Sequence, residues 1–150
     1  MIKYSEVYVS ILAKGLCQPG EQLVGACAVV HQPIWSFGTP FFRHAYLLVA
    51  TTHRLFALDH RKGLLFDRLD RADCYAWHDV ASFKMGGLLT KKVTVKDRAG
   101  RTVVKGKLTG FFGPMPNNAT SARAIAQTWE QHQRLAAAPA PGQMAQYAVA

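Results

Sequence analysis

The chain has 150 residues, 49% of them apolar and 18% charged, with a net charge of +9. These values describe one globular domain with a single core and exclude a predominantly disordered chain. No run of about 18 apolar residues occurs, so no transmembrane helix is expected; the three cysteines, Cys17, Cys27 and Cys74, lack the paired short spacing of a disulfide framework or zinc site and are expected to be buried free thiols.

The first residues, "MIKYSEVYVSILAKG", are interrupted by Ser5, Glu6 and Ser10 and lead to no small-residue cleavage site, so they do not read as a secretory signal and a cytoplasmic location is expected. They predict a short helix over 5–16. Ser5 can cap it, and Val7, Tyr8, Ile11, Leu12 and Leu16 fall at helical spacing on one face. Gly15 and Pro19 end it. Residues 21–32, "EQLVGACAVVHQ", read as the first strand, stopped by Pro33. The following "PIWSFGTPFFR" has the prolines and glycine of a loop, yet Trp35, Phe37, Phe41 and Phe42 make it very apolar for one.

"YLLVATTHRLFALDH", residues 46–60, is too long for one ordinary strand and holds no Gly or Pro. Both parities are apolar before residue 51 and mostly apolar after Arg54, with "TTHR" the one polar cluster between. Threonine hydroxyls can bond nearby backbone groups in turns. A tight turn at Thr51–Arg54 joining strands 44–51 and 54–60 is therefore predicted. "RKG" at 61–63 reads as the next turn. "LLFDRLDRADCYAW" reads as a short strand, a charged loop and another strand ending near Trp77.

A brief link leads to a strand from Val80 to Gly86. Residues 88–97 and 101–110 read as a hairpin around Asp97–Gly100. Gly110, Gly113, Pro114 and Pro116 close the sheet. "NNATSARAIAQTWEQHQRLAA" predicts a long helix, capped by Asn118 or Thr120, with Ala122, Ile125, Ala126, Trp129 and Ala136 on one face. The Ala- and Pro-rich tail 138–150 lacks a core pattern and is expected to be flexible. The order is a short helix, about seven strands joined by short turns, and a terminal helix that must cover one face or end of an antiparallel sheet.

"LLVATTHRLFAL" resembles the T-x-x-R-L hairpin of bacterial pleckstrin-homology-like (PH-like) domains, with Thr51, Arg54 and Leu55 at the matching positions. "YAWHDVASFKMGGLLTKKVTV" resembles the segment that follows in such domains, and the helix bearing Trp129 is similar to their capping helix. The resemblance covers 20–137, with 1–19 as an added helical segment packed on the domain. It implies a mainly β, α+β fold: a strongly bent antiparallel sheet of about seven strands, capped by the C-terminal helix. It further implies a binding module for lipid headgroups, peptides or copies of itself. Lipid-binding members gather Lys and Arg at the first hairpin loop. Here that loop, "HQPIWSFGTPFFRH", holds Arg43 and four aromatics, so the resemblance does not carry phosphoinositide recognition at that place.

Residues 80–110 hold eight basic residues against Asp97 alone. Strand alternation predicts Phe83, Met85, Val93, Val95, Val104 and Leu108 inward, and Lys84, Lys92, Lys96, Lys105 and Lys107 outward with Thr94. Those five lysines are the candidate anion-binding face. A solvated surface that resists aggregation is the plainer account of them. The absence of outward aromatics for base stacking disfavours nucleic acid as a partner.

Trp35, Phe37, Phe41 and Phe42 are the candidate partner loop, for protein, self or membrane contact; alternatively the loop folds back over an open barrel end or the N-terminal helix. Of the six histidines, those of "DH" at 59–60 and "HD" at 78–79 could meet in space, where His with Asp binds metal or moves protons. No H-E-x-x-H, G-x-S-x-G, P-loop or G-x-G-x-x-G occurs. No catalytic residue, metal or cofactor is therefore expected. The expected function is a non-catalytic binding or scaffold module making protein or self contacts, with the lysine face for anionic partners. The alternative is a peripheral membrane module that binds acidic headgroups.

Overall fold

A computed structural model describes residues 6–31, 44–62, 67–87, 91–108 and 117–137. Helix α1 spans Glu6–Leu16 and helix α2 spans Asn118–Ala137. Between them lie strands β1 (Leu23–His31), β2 (His44–Thr51), β3 (Arg54–Lys62), β4 (Asp67–Ala76), β5 (Val80–Gly86), β6 (Lys92–Asp97) and β7 (Thr102–Leu108). They form one open antiparallel sheet in the order β4-β3-β2-β1-β7-β6-β5. This architecture is compatible with a PH-like fold. The tail 138–150 and the loop bearing Trp35, Phe37, Phe41 and Phe42 lie outside the described residues.

The sheet folds over on itself because its inner face is apolar in both halves. Cys27, Val29, Leu48, Leu55 and Ala57 from β1–β3 share one core with Phe83, Val93, Val95 and Val104 from β5–β7. Ala122 and Ile125 of α2 fill the space between, with Trp129 against its edge. The halves join at β1 and β7, which among the described residues pair through Val29↔Leu108 and Val30↔Lys107. Gly106 makes that junction possible: a Cβ there would collide with the Val30 carbonyl and crowd the Val29 side chain.

Two polar devices fix α2. Asn118 is buried; its Oδ1 accepts from the Ala28 N–H at 2.7 Å and its Nδ2 donates to the Ala28 carbonyl at 3.0 Å. The residue expected as a cap thus satisfies a strand, at a point where β1 has no β7 partner among the described residues. Farther along, the Trp129 indole N–H donates to the Val80 carbonyl at 2.9 Å. Ala136, expected on the packed face, is exposed.

The predicted turn at Thr51–Arg54 is present, and Thr51 builds it. Its hydroxyl accepts from the N–H groups of His53 (3.3 Å) and Arg54 (3.0 Å). Arg54 then forms a two-pronged pair with Glu21 at 2.8 and 2.7 Å. The Trp77 indole N–H donates to the Thr51 carbonyl, and His132 Nε2 lies 3.0 Å from the Thr52 carbonyl while its ring stacks on Trp77. The Thr and Arg of the T-x-x-R-L stretch are thus structural: Arg54 ties the β2–β3 turn to Glu21 ahead of β1, and Thr51 shapes the turn and holds Trp77, while the tie to α2 runs through the Thr52 carbonyl.

Several expectations need correction. Of the segment after "RKG", residues 67–76 are one continuous strand, β4, with no charged loop between two strands, and Arg61 and Lys62 extend β3. The charged run survives as a strand because β4 is an end strand whose side chains reach water; Arg71 and Asp73, two apart on one side, pair at 2.6 Å. α1 seats on Val9, Ala13, Leu12 and Leu16, while Val7 and Ile11 are 70% and 66% exposed. The small Ala13 allows close approach to a sheet surface rich in alanine. Cys27 is buried, but Cys17 is partly exposed and Cys74 exposed.

Candidate anion-binding sheet face

The outer face of β5–β7 follows from the pleat. Val93, Val95 and Val104 are buried, so their strand neighbours point to water. Lys84, Lys92, Lys96, Lys105 and Lys107 are all exposed. Register places them side by side. Lys84 pairs with Thr94, which pairs with Lys105; Gly86 pairs with Lys92, which pairs with Lys107; Ser82 pairs with Lys96.

Thr94 is therefore surrounded. Lys84 and Lys105 flank it across the sheet at the ~4.8 Å strand spacing, and Lys92 and Lys96 flank it along β6 at about 7 Å. Its hydroxyl is a donor at a position flanked by four lysines, a set of groups suited to a phosphate or carboxylate. Lys92 lies directly opposite Lys107, a like-charge pair that destabilises a bare sheet and that an anion would relieve. Among the described residues no carboxylate sits on this outer side. Asp97, the acid of the stretch, is buried at the hairpin end. Burial works against its charged form, but the Arg101 side chain at 2.7 Å and backbone N–H at 2.9 Å outweigh that and hold its carboxyl below the usual range. Gly100, at φ +76, makes the turn that brings Arg101 there.

All five lysines named from sequence thus come to one side of three adjacent strands. Thr94 was placed outward but not as the centre of the group; only the cross-strand register shows that. The alternating "KVTVK" is the signal that carried it.

The two His–Asp pairs do not meet. Asp59 lies 3.3 Å from His44, whereas His78 lies 3.4 Å from its own neighbour Asp79. Ala76, just before His78, pairs with Arg54, and Asp59 is five residues farther along β3, about 17 Å away. Among the described residues no group of three or more His, Cys, Asp or Glu is placed to hold a metal ion. No described helix is long and apolar enough to cross a membrane.

Comparison with known proteins finds no matching family model and no matching curated protein.

Proposed function

We propose that this chain is a non-catalytic binding or scaffold module of the PH-like type, whose outer β5–β7 face takes an anionic partner. The observation that carries the reading is the Thr94-centred lysine group, uncovered and free of carboxylates among the described residues. The face is a pleated surface rather than a cleft, which suits an extended partner such as an acidic protein surface. Its outward residues, Ser82, Thr94 and the lysines, offer no ring for stacking a base, which weighs against nucleic acid. The lack of a cleft also favours a second reading: the plane of acidic headgroups of a bilayer meets such a surface equally well.

One variant and two probes test both. Lys92→Glu with Lys105→Glu reverses charge beside Thr94 without touching the core. The intact chain is expected to bind polyglutamate at about 50 mM salt and to release it at about 500 mM, where screening is short-ranged; the double variant is expected not to bind. Binding to anionic but not neutral vesicles with the same salt dependence moves the partner to the membrane. No binding to either probe at low salt overturns the reading.

A further inference from the structure

The pleat that turns the lysines outward turns a polar group inward at the far end of β1–β3. Val29 and Tyr46 pack on the inner core, so His31 and His44, two residues along the same strands, share that side. His31 stands directly opposite His44 across β1 and β2, which sets their Cβ atoms about 4.5–5.5 Å apart. Val29, Tyr46 and Asp59 form the adjoining rung. From it Asp59 reaches diagonally to His44, whose Nδ1 lies 3.3 and 3.4 Å from the two carboxylate oxygens. Tyr46 stacks on the His44 ring with centroids 6.1 Å apart. The His44 ring is thereby held, with Nδ1 towards the carboxylate and Nε2 turned away from it. Helix α2 starts beside Ala28, passes Gly25 and reaches Thr52 with His132. It therefore runs away from the two histidines, and α1 lies on the other side of the sheet. His31 and His44 are both partly exposed.

We infer that His31 and His44 together bind one divalent transition-metal ion, such as Zn²⁺, with the Asp59 carboxylate orienting His44 from behind. Imidazole suits these metals. A ligating histidine commonly gives its other ring N–H to a carboxylate, which fixes the tautomer and strengthens the donor nitrogen. The His44–Asp59 contact already has that form. At their cross-strand separation the two rings can turn onto a single ion. Burial, His44 and Lys105 lower the His31 pKa, which keeps that ring neutral and its lone pair available at pH 7. Two protein ligands are fewer than a structural or catalytic zinc site uses, so water completes the shell and the ion exchanges readily. Of the acids singled out in the sequence for metal chemistry, Asp59 is thus used, but with His44. His31 and His44 bracket residues 32–43, so a bound ion fastens the sheet where that segment leaves and rejoins it. The site lies on the opposite side of the sheet from the lysine face and does not rest on the function proposed there.

The test titrates Zn²⁺ into the full chain carrying Cys17→Ser and Cys74→Ser, because Cys17 is partly exposed and Cys74 exposed, and their thiols would take the metal themselves. Histidine ring nitrogens are followed by NMR at pH 7. One Zn²⁺ per chain is expected to bind, saturating below about 1 mM. Shifts are expected at His44 Nε2 and at one ring nitrogen of His31, while His44 Nδ1 keeps its proton. Mg²⁺ at the same concentration is expected to shift neither ring, since it takes oxygen ligands. His31→Ala and His44→Ala are each expected to weaken binding at least about tenfold. Asp59→Asn is expected to cost roughly tenfold and, before any metal is added, to move the His44 ring towards the Nε2–H tautomer. Zn²⁺ is also expected to raise the unfolding temperature of the cysteine-free-surface chain but not of its His31→Ala variant, because an ion held by the folded state stabilises it. Four outcomes would overturn the inference: no shift at His31 and His44 by about 1 mM Zn²⁺; unchanged affinity in both histidine variants; an equal rise in unfolding temperature with and without His31; or equal shifts at the exposed rings of His53 and His78, the mark of scattered surface binding.

Discussion

The two halves of the sheet obey the same pleat but end with opposite outer faces. On β1–β3 the outward residues are Ala26, Ala28, Leu47, Val49, Phe56 and Leu58, and α1 lies over them. On β5–β7 they are lysine, threonine and serine, and no described element covers them. The rung Ala28–Leu47–Leu58 and the rung Lys84–Thr94–Lys105 are geometrically equivalent. One needs a helix to remove it from water; the other needs water or an anion. The N-terminal helix thus covers one half of a sheet whose other half no described element covers.

The sharpest test of that contrast is a pair of alanine substitutions at equivalent rung positions. Leu47→Ala, under α1 and fully buried, is expected to cost about 2–5 kcal/mol through lost burial and the cavity it leaves. Lys105→Ala, exposed, is expected to stay within about 0.5 kcal/mol. Urea unfolding of both variants measures the difference, and similar losses would mean that the outer faces are not built as described. The junction between halves comes next. Gly106→Ala places a methyl group against the Val30 carbonyl and is expected to destabilise by about 1–3 kcal/mol. Because the strain falls where β7 meets β1, hydrogen exchange should rise at Val29, Val30 and Leu108 before it rises in β2 or β3.

The smallest effect concerns acid. The Arg54 guanidinium, with help from the Gln18 N–H, draws the Glu21 carboxyl from 4.5 down to about 2. A depressed carboxylate stabilises the folded chain fully above its unfolded pKa, and that contribution fades as pH falls from about 4.5 towards 2. Glu21→Gln should therefore flatten the stability–pH curve in that window and leave its shape above pH 5 unchanged. An unaltered acid limb would show that the Glu21–Arg54 pair contributes no pH dependence.

Much of the fold was legible because the decisive patterns are local. "KVTVK" and "TVVKGKL" alternate cleanly, and a chain with period-two apolar residues and short turns has few options besides an antiparallel sheet. The Thr51–Arg54 turn was legible without Gly or Pro because a threonine hydroxyl bonds the backbone two and three residues on. β4 was not legible as one strand, since its charges look like a loop until it is known to be a sheet end. The seated face of α1 was not legible either. Val7 and Ile11 match the helical period as well as Val9 and Ala13 do, and only the alanine-rich surface beneath distinguishes them.

The site divides in the same way. Alternation by itself determined that Lys84, Lys92, Lys96, Lys105 and Lys107 face away from the valines, because side-chain direction along a strand depends on nothing beyond the strand. It determined the hairpin at Asp97–Gly100 and the terminal helix on similar local grounds. What surrounds Thr94, which half of the outer face receives α1, and which acid lies beside His44 were decided by tertiary structure. Each depends on register and packing between residues far apart in the chain, such as Asn118 with Ala28 and Trp129 with Val80. Local periodicity carries no record of those contacts.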